Sequence, residues 1–134
     1  MRQKSFADGS FEKLRKRTRK EQFLDEMEVI IPWKELTEVI ESFYPKPTGA
    51  GRRPKGLERM LRIYFMQHWF ALSDPDAEEA LYDSHTMREF AGINLGEEPA
   101  PDETTILNFR HLMERHNLGD EVFRIVNEYL KALR

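Results

Sequence analysis

The sequence predicts an all-α fold, on three observations. Apolar residues recur with the 3.6-residue period of amphipathic helices along most of the chain, no stretch keeps the period-two alternation of a half-buried strand, and capping residues precede the periodic runs. The clearest run lies in residues 57–72, where Leu57, Met60, Leu61, Tyr64, Phe65, His68, Trp69 and Leu72 share one helical face. The expected architecture is one compact domain of about six helices over residues 18–134, preceded by a mobile basic arm over residues 1–17.

Taken in order, Thr18 with Glu21 three residues later forms a capping box, and Phe23, Leu24, Met27, Ile30 and Ile31 supply an apolar stripe, which predicts a helix over residues 19–29. Pro32 suits the first turn of a second helix that carries Trp33, Leu36, Val39, Ile40 and Phe43 inward and ends before Pro45. Residues 44–56 hold three prolines and three glycines, which precludes regular structure. In the helix of residues 57–72, Arg59 and Arg62 take the outer face of the first two turns before Met66 and Phe70 replace them, so it is expected to start at the surface and end buried on all sides. Asp74 then caps a short helix near residues 76–82. Asp83 or Ser84 caps the next, with Met87, Phe90 and Ala91 inward and Gly92 as a left-handed terminus. One long and two short helices make a trihelical unit of the helix-turn-helix kind. After the polar loop of residues 92–101, Asp102 caps a helix with Ile106, Phe109, Leu112, Met113 and His116 inward. Asp120 caps a last one through Val122, Phe123, Ile125, Val126, Tyr129, Leu130 and Leu133.

A chain of 134 residues can bury about two-thirds of its unfolded surface without a staple. It has no cysteine, which excludes disulfides, thiol chemistry and cysteine-bound zinc, and a reducing cytoplasm is the expected setting. No apolar run approaches the ~18–20 residues of a membrane span, and residues 1–10 lack the apolar core of a signal peptide.

The net charge of −3 is unevenly laid out. Residues 1–20 carry +6 and residues 46–62 carry +5, so the remainder is strongly acidic. Two basic islands on an acidic body suggest a localised polyanion footprint. Its candidate phosphate anchors are Lys13, Arg15, Lys16, Arg17, Arg19 and Lys20 in the first island, and Arg52, Arg53, Lys55, Arg59 and Arg62 in the second. Solvated, purposeless lysines and arginines would give the same composition. On the helix after Asp102, Thr104, Asn108, His111 and Arg115 line the face opposite the apolar one. Asn and Arg pair best with adenine and guanine edges, so this face is a candidate base reader. On composition alone an ordinary solvated face is the favoured reading, because Asp102, Glu103 and Glu114 would repel phosphate.

Catalytic and metal signatures are missing from the sequence. No two of His68, His85, His111 and His116 have the i, i+4 spacing of a helical metal site, and His68, within an apolar stripe, is expected to be a hydrogen-bonded core residue. Neither a P-loop, a dinucleotide fingerprint nor a nucleophile elbow is present. The chain itself is therefore expected to be no enzyme and to need no cofactor.

Several segments together resemble one family. Gly51-Arg52-Arg53-Pro54, Gln67-His68-Trp69-Phe70, Leu72-Ser73-Asp74, Glu78-Glu79-Ala80-Leu81-Tyr82-Asp83 and the run from Pro101 through Asp102, Glu103, Thr104, Thr105, Ile106, Leu107, Asn108 and Phe109 to Arg110 are similar to the N-terminal domain of bacterial insertion-sequence transposases of the DDE class, the group with an InsH-type N-terminal domain. The resemblance implies a helical region that recognises the element's terminal inverted repeats in double-stranded DNA and helps assemble the transposase. In the family an RNase H-like domain follows, with two aspartates and a glutamate that bind Mg²⁺. No such residue can be carried over to this sequence, and Asp102 and Glu103 do not correspond to them. The implied partner is DNA, with a possible homodimer, no membrane and no small-molecule substrate, in a cytoplasmic, nucleoid-associated setting. The alternatives left open are a dimerisation module and a remnant acting as a repressor.

Overall fold

The computed structural model describes residues 16–44 and 56–133. Within them the chain forms seven helices and no strand: α1 (Arg19–Ile30), α2 (Trp33–Glu41), α3 (Leu57–Phe70), α4 (Asp74–Asp83), α5 (His85–Ala91), α6 (Glu103–Arg115) and α7 (Leu118–Ala132). None is long and apolar enough to cross a membrane. The arm expected over residues 1–17 falls almost wholly outside the described residues, as does the Pro/Gly stretch from 45 to 55.

Caps set most of the boundaries. The Thr18 hydroxyl accepts from Glu21 N–H at 3.1 Å, and Asp102 accepts from Thr105 N–H at 2.8 Å. Ser84 ends α4 and starts α5, its hydroxyl accepting from Met87 N–H, so these two helices are joined through a single residue. Gly92 closes α5 at φ 75°, a conformation that favours glycine. Two starts differ from expectation. Helix α4 begins at Asp74 because Ser73, with its extended backbone, is the cap that accepts from Asp76 N–H. Helix α7 begins at Leu118 behind a left-handed Asn117, ahead of Asp120. Helix α3 stops at Phe70, since Ala71 turns left-handed and Leu72 N–H bonds back to the Gln67 carbonyl.

Helix α3 is the central post, touching α2, α4, α5 and α6. Its fully buried side chains include Leu61, Ile63, Phe65 and Met66. Around Phe65 the rings pack edge to face or stacked: Trp33 at 5.6 Å, Trp69 at 5.2 Å and Phe123 at 5.2 Å between centroids. Such pairs add about 0.5–1.5 kcal/mol each beyond area burial. On the side of α7, Gly119 lies so close to Tyr64 that a Cβ there would meet its hydroxyl at 2.5 Å.

The burial pattern of α3 differs from the one expected at its C-terminal end and at Arg62. The helix starts with Glu58 exposed and Arg59 partly so, is enclosed from Met60 to Gln67, where Arg62 and Gln67 are themselves only 8% and 6% exposed, and emerges again at its C-terminal end. There His68 is exposed: its Nδ1 lies 2.9 Å from the Tyr64 carbonyl oxygen and its ring packs on Tyr64 and Phe123 at the rim. It is hydrogen-bonded, as predicted, but it is not core. The reason is that the stripe of α3 outruns the elements that cover it. The same holds at the ends of α2 and α7, where Phe43, Tyr129, Leu130 and Leu133 belong to apolar stripes yet stay exposed. His116, placed inward by periodicity, is exposed and stacks on Phe43 at 4.5 Å.

Arg62 explains how the enclosed half holds together. Its guanidinium lies 4.3 Å above the Trp33 ring and 5.0 Å from the Phe90 ring. It donates to Glu28 of α1, to Glu58 one turn earlier at 3.1 Å and to the Phe90 carbonyl at 3.0 Å. Four helices therefore meet on one side chain. Replacing Arg62 with Ala should lower unfolding free energy by about 2–4 kcal/mol, because it opens a cavity and leaves the Phe90 carbonyl unpaired. Arg62→Lys should recover only part of that, since an ammonium cannot span three acceptors as a planar fork does. Urea denaturation of the two variants checks both the loss and its ordering.

Candidate nucleic-acid interface

The second basic island does not survive as a set. Arg62 is buried and ion-paired, so it is unavailable to phosphate, which corrects the expectation that it lies at the surface. Arg59, 27% exposed, donates to the Gly92 carbonyl at 3.0 Å and pairs with Glu98 at 2.6 Å. Both arginines hold the C-terminal end of α5, where unpaired carbonyls attract cations. Arg52, Arg53 and Lys55 lie outside the described residues.

Of the first island, Lys13 and Arg15 are likewise outside. Lys16, Arg17, Arg19 and Lys20 are all exposed at the start of α1. Arg17 pairs with Asp25 and, at 3.8 Å, with Glu21, while the Lys20 ammonium lies 5.1 Å over the Phe70 ring. These cations and Arg59 sit at opposite ends of α3, about 16 Å apart by helical rise. The described residues hold 12 Lys/Arg against 22 Asp/Glu. The folded body is thus acidic, and its cations do not form one patch.

The structure does bring the α6 residues together. Thr104, Asn108, His111 and Arg115 are all exposed and line one stripe, opposite the buried Ile106, Phe109 and Met113. Among the described residues none of their four side chains has a hydrogen-bonding partner. This is the one surface stripe of uncommitted donors and acceptors among the predicted site residues. On the opposite, buried face of α6, Phe109 packs against Tyr44 with ring centroids 6.3 Å apart.

What holds α6 comes from α4, and none of it was visible in the spacing of the sequence. Arg110 donates through Nε and Nη2 to the two carboxylate oxygens of Asp74, at 2.8 and 2.7 Å. Gln67 of α3 donates to the same carboxylate at 2.9 Å. Glu78 accepts from the Glu103 N–H at 2.6 Å, satisfying a free donor at the start of α6. The side chain of Arg88, on α5, donates to the Leu81 and Tyr82 carbonyls at the end of α4. No three His, Asp or Glu side chains among the described residues converge as a metal site would require.

With the architecture and this face defined, comparison with known families gives a direct result. Residues 12–112 match the family model of the transposase domain DUF772. The chain belongs to that transposase domain family. The matched segment carries α1 through α5 and most of α6, including Thr104, Asn108 and His111, and stops short of Arg115. No solved structure matches this transposase domain.

The Asp74–Arg110 fork makes the transposase domain's stability pH-dependent in a defined direction. The hydrogen bond from Arg110 holds the Asp74 carboxyl below its ordinary range, outweighing the partial burial that raises it. A carboxylate depressed in the folded state contributes stability that is complete above the unfolded pKa and is lost as pH falls through the folded one. Asp74→Asn should therefore be less stable than wild type at pH 7, with the difference shrinking below about pH 4. Denaturation midpoints measured across pH for both proteins check the convergence.

Proposed function

We propose that this transposase domain is a DNA-binding and assembly module, which recognises the terminal inverted repeats of an insertion sequence during transposition. The observation that carries the proposal is the outer face of α6: Thr104, Asn108, His111 and Arg115 are exposed together, with no side-chain hydrogen bond among the described residues, in a chain of the transposase family. These side chains match the groups that base edges present in a major groove. Phosphate anchoring in this reading comes from Lys13, Arg15, Lys16, Arg17, Arg19 and Lys20, from Arg52, Arg53 and Lys55, and from Arg59 if Glu98 yields it. Arg62 is withdrawn from that role by its burial. The protein binds double-stranded DNA at the nucleoid, and cleavage and joining belong to a Mg²⁺-dependent catalytic domain of the transposase.

A specific observation also favours subunit pairing as part of the assembly role. The apolar stripe of α7 continues past the body of the domain, leaving Leu133 67% exposed beside Tyr129 and Leu130. A dimer that did not shift labelled repeat DNA would make pairing the whole of the function.

Titration of the protein with a terminal-repeat duplex should show affinity falling with salt. About five phosphate contacts give a slope near −4.5 in log K against log salt. Asn108→Ala and Arg115→Ala should each reduce discrimination between repeat and scrambled duplex by about 5–150-fold, from ~1–3 kcal/mol per base contact, while leaving the fold unchanged by circular dichroism. Absence of any salt dependence would overturn the proposal.

A further inference from the structure

The acidic helix α4 stands directly against α6, which is an awkward neighbour for a DNA-reading element. Five carboxylates lie between Asp74 and Asp83, and α4 and α6 are in extensive contact. Two of the five are engaged with α6 itself. Asp74 takes both ends of the Arg110 fork, and Glu78 accepts from the backbone N–H at the first residue of α6.

The positions of these contacts around the helix matter more than their number. At about 100° per residue, Thr104, Asn108, His111 and Arg115 fall within about 60° of one another on the helical circumference, and Arg110 lies roughly 120° away on the flank facing α4. The opposite flank carries Leu112 and Phe109 toward the rest of the core, where contacts are apolar and non-directional. Apolar packing keeps Ile106, Phe109 and Met113 inward but tolerates small rotations of the helix about its axis. A planar guanidinium on a carboxylate does not, because both N–H···O bonds must stay aligned. Gln67 fixes the carboxylate in turn, since its Nε2 donates both to Asp74 at 2.9 Å and to the Leu72 carbonyl at 3.2 Å. The chain of contacts therefore runs from the buried post α3 through Asp74 to Arg110.

We propose that Asp74 and Arg110 form a rotational lock that sets which side chains of α6 face the DNA groove, Arg110 being a positioning residue that itself touches no base. The inference rests on the reading of α6 as the base-contacting helix. A small rotation about the helix axis would swing Asn108 and Arg115 out of register with the base edges while the buried face stays inward. The lock thus acts on sequence discrimination and leaves general attraction to DNA alone.

The test uses the full chain and a randomised duplex library, from which the wild-type protein selects its preferred duplex. Affinity for that duplex is then compared with affinity for its scrambled counterpart. Arg110→Lys keeps the charge and removes the fork. It should lower the ratio of specific to scrambled affinity by at least tenfold, while scrambled affinity and its salt slope stay within twofold of wild type. Arg124→Lys is the control, because it breaks an equally forked pair with Glu121 on α7, remote from the stripe, and should leave the ratio unchanged. Should Arg110→Lys fail to fold, Asp74→Asn keeps an acceptor for Gln67 and should show the same loss of ratio. An unchanged ratio in the folded variant overturns the lock alone, as does an equal fall in both affinities, which is what simple destabilisation would produce. A wild-type protein that enriches no duplex from the library overturns the lock together with the base-reading role of α6.

Discussion

A guanidinium placed between two aromatic rings needs acceptors for its donors, and Arg62 finds three of them, through Nε and Nη1, by drawing four helices onto itself. Glu28 comes from α1, Trp33 from α2, Glu58 from its own helix and the Phe90 carbonyl from the end of α5. Glu28 and Glu58 remain about half exposed, so the pair is not desolvated on both sides and avoids the full penalty of a buried ion pair. The aromatic cluster of Trp33, Phe65, Trp69 and Phe90 is assembled around the same point. Without it, α5 would be seven residues with little to hold it, since so short a helix is unstable alone.

The same chemistry recurs across the domain with a different partner each time. Arg59 and Arg62 satisfy carbonyls at the end of α5, Arg88 does so at the end of α4, and Arg110 binds the first residue of α4. Arg62, Arg88 and Arg110 are thereby removed from the pool that could meet a phosphate backbone, and Arg59 is paired with Glu98 as well. This division leaves an acidic body in which α4 serves as a brace for α6, and it leaves the outer stripe of α6 as the polar surface without internal obligations. In the proposed DNA-binding role, electrostatic attraction would come largely from the basic segments at residues 1–20 and 46–55.

Much of the helical layout could be read from the chain in order. Thr18, Ser84, Gly92 and Asp102 each perform the terminal role their residue type suggests, because a cap is a local hydrogen bond between neighbours in sequence. Where two candidate caps adjoin, the choice was not local. Ser73 takes the cap of α4 because Asp74 is held by Arg110, thirty-six residues further on. The outer stripe of α6 was likewise legible, since its periodicity and that of the buried face are set by one helical repeat. The brace beneath it was not.

By itself the sequence determined that the chain is all-helical, where most helices begin and end, and which family it resembles, for these depend on periods of three to four residues and on short motifs. The tertiary structure alone decided which members of a stripe are covered and which cations remain free. Trp33 and Phe43 lie on the same stripe of α2, yet one is buried and the other exposed, because burial depends on where the neighbouring helix ends. Arg59, Arg62 and Arg110 are indistinguishable by composition. Their roles differ because a guanidinium takes its function from the acceptors within reach, and those acceptors come from helices distant in sequence.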